Sequence, residues 1–287
     1  MNVLIIYFSQ TGNTKNIAEK IEQGVINSGN NCEMISIKDY NKYNLKNYDL
    51  IGLGTPTFFY REPINIQKFI KNLEPSHNLK HWFLFCTHGS LVGNTFYYMN
   101  KELSKKGFRA IGTFDCYASS SIQFYPQPMH TDGHPDEIEL KEAQEFGRNI
   151  CDISTKVKSG NLTLCPRFTL NRDAWWAKES EKLTMDLLRK VSPKFTVNSE
   201  KCTRCLSCQE QCPVDAIDIE SDPPEIQREG CIFCWYCEKL CLEGAIEADW
   251  TIMRKINRGN LKRYVSELKT AEKIGKFRPH IDYEKII

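Results

Sequence analysis

The stretch Val3-Leu4-Ile5-Ile6-Tyr7-Phe8 runs directly into Ser9-Gln10-Thr11-Gly12-Asn13-Thr14. Its first half is a continuous apolar, partly β-branched run. That is the pattern of a strand buried on both faces, as in parallel sheets. After the polar second half comes a periodic segment, with Ile17, Ala18, Ile21 and Val25 on one side and Lys15, Glu19, Lys20 and Glu22 on the other. This predicts an amphipathic helix that ends near Gly29. The order is strand, hydroxyl-rich loop, helix.

Working outward, the same order repeats. Cys32–Ile37, Asp49–Gly54, His81–Cys86 and Arg109–Cys116 read as four further strands. Helices are expected over about Ile64–Leu73, Asn94–Lys106 and Asp136–Lys156. Five strands alternating with helices predict an α/β fold, a doubly wound five-stranded parallel sheet. Ligands of such sheets bind at the carboxyl ends of the strands, where the strand order reverses.

The loops at those ends share a chemistry. After the first strand stands Ser9-Gln10-Thr11-Gly12-Asn13-Thr14, after the third Thr55-Pro56-Thr57-Phe58-Phe59-Tyr60, after the fourth Thr87-His88-Gly89-Ser90 and then Gly93. The first loop opens a helix, where free backbone N–H groups and the helix dipole favour an anion. It has no lysine and no G-x4-G-K-[ST], which argues against a nucleoside triphosphate with Mg²⁺. Hydroxyls in place of lysine suit a single phosphate monoester, although Ser, Thr and Asn also simply cap helices. His88 is either near a ligand edge or merely solvated. The loop Tyr117–Pro135, with Ser119-Ser120-Ser121, Phe124, Tyr125, His130 and His134, is long enough to be functional, or to dock a second domain.

A second pattern occupies Cys202 to Cys241. Cys202, Cys205, Cys208 and Cys212, then Cys231, Cys234, Cys237 and Cys241, repeat the spacing C-x2-C-x2-C-x3-C. Paired C-x2-C motifs would suit zinc, whereas two tandem runs of four suit two [4Fe–4S] clusters. In such proteins the fourth cysteine of each run ligates the other cluster. The expected sets are therefore Cys202, Cys205, Cys208 with Cys241, and Cys231, Cys234, Cys237 with Cys212. Trp235 and Tyr236 are expected to cover a cluster from water. Asp215-Ala216-Ile217-Asp218-Ile219 and Gly244-Ala245-Ile246-Glu247-Ala248 follow the two runs as an internal repeat. The other five of the 13 cysteines, Cys32, Cys86, Cys116, Cys151 and Cys165, lack ligand spacing. They read as small apolar residues, with Cys116 closest to the strand-end loops.

Residues 1–158 resemble flavodoxin, on the strength of the S-Q-T-G-N-T loop and the strand-end loops quoted above. Residues 195–250 resemble bacterial two-cluster ferredoxin, with Pro213 after the first run but Leu242 where that family has proline. Apart from the connector 160–194 and the tail 251–287, the chain resembles the flavodoxin–ferredoxin fusions of anaerobes. The resemblance implies FMN, with its phosphate at Ser9, Gln10, Thr11, Gly12, Asn13 and Thr14. The isoalloxazine would lie between Thr55–Tyr60 and Thr87–Gly93, with Phe58, Phe59 and Tyr60 as candidates to pack on the ring. The expected domains are 1–159 for FMN, a helical connector 160–194, 195–250 as a small α+β two-cluster domain, and a basic tail 251–287, helical around Leu261–Ile274. One helix is expected over Arg172–Lys190, with Trp175, Trp176, Leu183, Leu187 and Leu188.

The implied function is electron transfer between the clusters, FMN and redox proteins of the ferredoxin type. No acid–base side chain is required for it. A flavin-dependent reductase of a small-molecule electron acceptor is the alternative. No nicotinamide fingerprint is present. The 287 residues carry a formal net charge of +2, which excludes neither partner but gives no sign of nucleic acid. The charge is uneven: net +1 over 1–160, −5 over 161–250 and +6 over 251–287. The tail would dock on the acidic cluster domain, meet an acidic redox partner, or stay solvated. No apolar stretch approaches the length of a membrane span, and the protein is expected to be cytoplasmic. A homodimer is possible.

Overall fold

The computed structural model describes residues 1–76, 79–120, 122, 124–182 and 184–286. Ser121 and Leu183 lie outside the described residues. The chain divides into two compact units, Met1–Ala118 with Gly133–Glu181, and Ser119–Asp132 with Lys182–Ile287.

The first unit holds strands β1 (Asn2–Tyr7), β2 (Asn31–Ser36), β3 (Leu50–Pro56), β4 (Lys80–His88) and β5 (Phe108–Tyr117). All pair in parallel in the order β2-β1-β3-β4-β5. Helices α1 (Asn13–Asn27), α2 (Ile64–Asn72), α3 (Thr95–Lys105) and α4 (Glu137–Lys158) cover the sheet. Both sheet faces are buried, which is why β1 and β4 are nearly continuous apolar runs. On one face Val3, Ile5, Phe83 and Phe85 meet Ile17, Ile21 and Ile150 of α1 and α4. On the other Leu4, Ile6, Trp82 and Leu84 are buried with Phe69 and Leu103. The alternation of 3 and 5 against 4 and 6 follows from the two-residue period of a strand.

Strands β3 and β4 run further than the sequence pattern predicts. Thr55, Pro56, Thr87 and His88 end strands rather than begin loops. The ladder reaches Pro56↔Thr87, and the Thr57 N–H donates to the Thr87 carbonyl at 2.9 Å. Pairing on the β4 side alone holds Pro56, since the β1 register ends at Gly54, and Pro56 closes the strand.

The second unit carries β6 (Phe195–Val197) paired antiparallel to β9 (Ile246–Ala248), and β7 (Ile217–Asp218) paired antiparallel to β8 (Glu225–Ile226). Two short helices, α7 (Ser207–Glu210) and α8 (Tyr236–Leu240), lie inside the two cysteine runs and carry Cys208 and Cys237. The tail is one long helix, α9 (Thr251–Lys273), which starts ten residues before the predicted Leu261. Met253, Leu261, Val265 and Leu268 are buried. A freely solvated helix would leave them in water, so the solvated reading of the tail is corrected.

Three other expectations change. The predicted helix Arg172–Lys190 is two short helices, α5 (Ala177–Lys182) and α6 (Met185–Val191), because Thr184 caps the second by accepting from the Leu187 N–H. The connector does not behave as one piece, since it divides at Glu181 between the units. The middle of the long loop, Ser119–Asp132, belongs to the second unit rather than to the sheet that precedes it.

Candidate functional site

At the end of β1 the chain turns through Ser9–Gly12 into α1. Gly12 takes a left-handed φ of 91° and Thr11 and Gly12 are exposed. No side chain caps the helix start. Its N–H groups therefore remain directed at whatever anion the loop receives. The Ser9 hydroxyl is buried with no hydrogen-bond partner. A buried hydroxyl left without a partner is costly, and a bound phosphate oxygen would accept from it. Thr14 is buried, and its hydroxyl meets that of Thr87 at 2.8 Å, which ties the first turn of α1 to the end of β4. The donor set fits a phosphate monoester.

The loop after β3 is a tight turn. Phe58 and Arg61 exchange backbone hydrogen bonds of 2.9 and 3.1 Å, and between them Phe59 and Tyr60 both take positive φ, 50° and 63°. This is the arrangement of a type I′ turn, which normally draws Asn-Gly. Two aromatic residues there store strain of about 1–3 kcal/mol each. Phe58 packs edge-on against Phe8. Tyr60 is buried and stacks on Trp176 at 5.6 Å and 27°. Its ring is thus given to the connector, which separates it from Phe58 and Phe59 as a candidate flavin contact.

His88, read from sequence as a loop residue, is instead the buried last residue of β4. Its Nε2 lies 3.3 Å from an Asp115 carboxylate oxygen, and its Nδ1 is buried without a partner. Tyr117 packs against its ring edge at 4.7 Å. At the base of the long loop, Glu139 accepts from the Tyr117 N–H and meets His134 Nδ1 at 2.8 Å. Asp136 and Glu139 form a capping box for α4. Cys116 is buried in β5, and burial pushes its thiol well up, so it behaves as an apolar residue.

In the second unit, the two cysteine runs repeat at the level of backbone. Arg204 and Leu206 flank Cys205 with φ of 53° and 62°, and Phe233 and Trp235 flank Cys234 with φ of 55° and 56°. Asp215 and Gly244 take positive φ at equivalent places further on. Ala216 and Ala245, one residue later, donate N–H bonds to the sulfurs of Cys212 at 3.2 Å and Cys241 at 3.3 Å. Two non-glycine residues in left-handed conformation bend each run around a centre, at a cost that a fixed ligand geometry would offset. Sequence spacing carries no sign of these positions, since none of the four is glycine or asparagine.

One pocket is lined by Cys208, Cys212, Cys231, Cys234 and Cys237, with Pro213, Ile217, Ile226 and Ile232 as apolar wall. Burial pushes the Cys237 thiol up, and Cys234, Cys231 and Cys212 add to the shift by proximity. Burial also raises Cys208, with Cys205 and Cys241 near enough to contribute. Cys205 is exposed and held below the usual thiol value by Ser207. Among the described residues no three of these sulfurs lie within 4.8 Å of one another.

Aromatic rings cover this site. Trp235 meets Phe124 at 5.5 Å and Trp250 at 5.4 Å, and Trp250 meets Phe195 at 5.8 Å. The Trp250 indole donates to Glu238 at 2.7 Å. Trp235, expected from the sequence to cover a cluster, lines the pocket with the cysteines. Phe124 was not legible, because it comes from the β5–α4 loop more than a hundred residues away.

Residues 4–119 match the flavodoxin domain family and residues 195–218 match the 4Fe-4S binding domain family. The flavodoxin of Megasphaera elsdenii is 30% identical over 113 residues, 39% of this chain and 82% of that protein. The flavodoxin of Clostridium beijerinckii is 28% identical over 151 residues, 52% of this chain and 99% of that protein. A solved flavodoxin from the domain Archaea is 23% identical, with 55% of this chain and 99% of that chain covered at a TM-score of 0.43. Fold and site together define an FMN and iron–sulfur electron-transfer protein. The chain belongs to the flavodoxin family, joined to a C-terminal 4Fe-4S binding domain as a flavodoxin–ferredoxin fusion. Among the described residues no helix is long and apolar enough to cross a membrane.

Proposed function

We propose that the chain carries one FMN and two [4Fe–4S] clusters and passes low-potential electrons among them and to or from redox proteins of the ferredoxin type. When bound, the clusters supply one-electron transfer and the flavin one- or two-electron transfer. The observation that carries the reading is the pocket that brings Cys208 and Cys212 of the first run to Cys231, Cys234 and Cys237 of the second. A fourth cysteine from the first run at the second run's site is what a crossed two-cluster fold requires. Cys202, Cys205, Cys208 and Cys241 would hold the other cluster.

Ser9, Gln10, Thr11, Gly12, Asn13 and Thr14 would bind the phosphate through backbone N–H groups and hydroxyls. Thr55, Pro56, Thr57, Phe58 and Phe59 would border the ring on one side, and Thr87, His88, Gly89, Ser90 and Gly93 on the other. The proposed domain division is a sheet unit for FMN and a cluster unit that includes the tail helix. The partly aromatic cover of Trp235, Trp250 and Phe124 would keep water from the cluster sulfurs.

An anaerobic absorbance spectrum with iron, sulfide and flavin quantified tests the reading. About eight iron and one FMN per chain are expected. Four iron would leave one cluster, and no flavin would remove the flavin half. Reoxidation of the reduced protein by a ferredoxin at rates above those with small acceptors supports electron carriage. Catalytic turnover of a defined small molecule would replace it with the reductase reading.

A further inference from the structure

We propose that Asn171–Ser180, which lies outside the flavodoxin-domain match, is a strap that forms part of the flavin site and sets its affinity for the ring rather than for the phosphate. The proposal rests on the reading of the sheet unit as an FMN site.

The strap grips both loops that would border the ring. On the β3 side, Tyr60 stacks on Trp176 and meets Trp175 edge-on at 5.5 Å. The next residue, Arg61, donates from Nη1 to the Ser180 carbonyl at 3.2 Å, with its guanidinium 4.0 Å above the Tyr98 ring. On the β4 side, the Asn94 amide donates to the Asn171 carbonyl and accepts from the Asn171 N–H, both at 3.0 Å. This two-point clasp imitates a strand pairing. Asn94 and Ser180 are buried.

The two loops are also joined to each other, since the Asn94 N–H donates to the Tyr60 carbonyl at 2.7 Å. Gly93 makes that approach possible, because a Cβ there would lie 2.2 Å from the same oxygen. A sheet unit that ended with α4 would leave the Tyr60 ring exposed, and with it the strained Phe59–Tyr60 turn unsupported. It would also leave the buried Asn94 amide without its partners, which is costly. The strap restores both. Phe59, on the same turn as Tyr60, then has one conformation in which to meet a flat aromatic ligand. Pre-organised loops bind more tightly because less freedom is lost on binding.

The test titrates the full-length apoprotein with FMN and, separately, with riboflavin, which lacks the phosphate, by quenching of flavin fluorescence. Trp176→Ala is expected to weaken both flavins by the same factor, about tenfold or more, and Trp176→Phe to restore most of it. Asn94→Ala gives a second measurement, from the other loop, with the aromatic stack intact. Variants that keep the wild-type melting temperature and bind both flavins as wild type does would overturn the proposal alone. So would a loss confined to FMN. A wild-type chain that binds neither flavin would overturn the flavin reading and the proposal with it.

Discussion

The carbonyl oxygen of Tyr60 accepts the backbone N–H of Asn94 at 2.7 Å, which pins the loop after β3 to the start of α3. Gly93 sits at φ 63° in the space between. A side chain there meets both a left-handed backbone and the Tyr60 carbonyl at 2.2 Å. Gly93→Ala should cost about 2–4 kcal/mol, since the backbone must shift to admit it. The melting transition of the sheet unit should fall by roughly 5–15 °C. A calorimetric scan with an unchanged transition would show that the approach is looser than described.

Ser9 offers a cleaner probe of the anion loop. Its hydroxyl is buried and unpartnered, so its removal leaves no group stranded in the protein itself. Ser9→Ala should therefore leave stability unchanged or slightly raised. Its cost should appear only on phosphate binding, where a hydrogen bond to a charged group is worth about 1.5–3 kcal/mol. FMN affinity should drop about 10- to 100-fold while riboflavin affinity holds. Equal losses for the two flavins would place Ser9 away from the phosphate.

The crossed cluster ligation can be separated from the uncrossed one by pairs of substitutions. Cys212 shares a pocket with Cys234. If the sets are crossed, Cys212→Ser with Cys234→Ser damages one cluster and leaves about four iron. Cys212→Ser with Cys205→Ser then damages both and leaves almost none. The uncrossed arrangement reverses the two outcomes. Iron and sulfide analysis of the two double variants, with electron paramagnetic resonance of the reduced proteins, decides between them.

Glu62 gives a pH dependence with a definite sign. It is 1% exposed, and burial pushes its carboxyl up to about 7, against the opposing pull of Arg61. A carboxyl raised on folding contributes stability that is fully present below its unfolded value, near 4.5. That contribution is lost as pH rises through about 7. The shift corresponds to about 3 kcal/mol at most. Glu62→Gln should flatten the fall in melting temperature of the sheet unit between pH 5 and pH 8. A variant with the wild-type slope would assign that dependence elsewhere.

The parts of the fold that rest on local periodicity were legible from residues alone. Val3–Phe8 reads as a doubly buried strand because it is a continuous apolar run, in which Val3, Leu4, Ile5, Ile6 and Phe8 are buried, and Ile17, Ala18, Ile21 and Val25 can share a face only in a helix. The cysteine spacing marks its sulfurs because ligation fixes distances along the chain. The connector was not legible, since the partner of Trp176 is Tyr60, 116 positions earlier, and no local pattern announces it. The turn at Phe59–Tyr60 was hidden because two aromatics occupy places where Asn-Gly would have signalled it. The early start of α9 was hidden by Asn257, Gly259 and Asn260, poor helix formers that burial of Met253 and Leu261 overrides.

That burial makes the tail helix testable as part of the cluster unit. Met253 is 6%, Leu261 4%, Val265 8% and Leu268 0% exposed. Tyr264 meets Tyr125 of the long loop at 6.4 Å, and His130 of the same loop bonds the Ile286 carbonyl at 2.9 Å. Each buried apolar side chain contributes about 1.5–3 kcal/mol, so removal of four is comparable with the whole stability of a domain. Truncation after Trp250 should therefore lower the iron retained on purification and shorten the half-life of the clusters in air. The flavin bound by the sheet unit should be little changed. A truncated chain with full iron and wild-type cluster lifetime would return α9 to the role of a solvated basic tail.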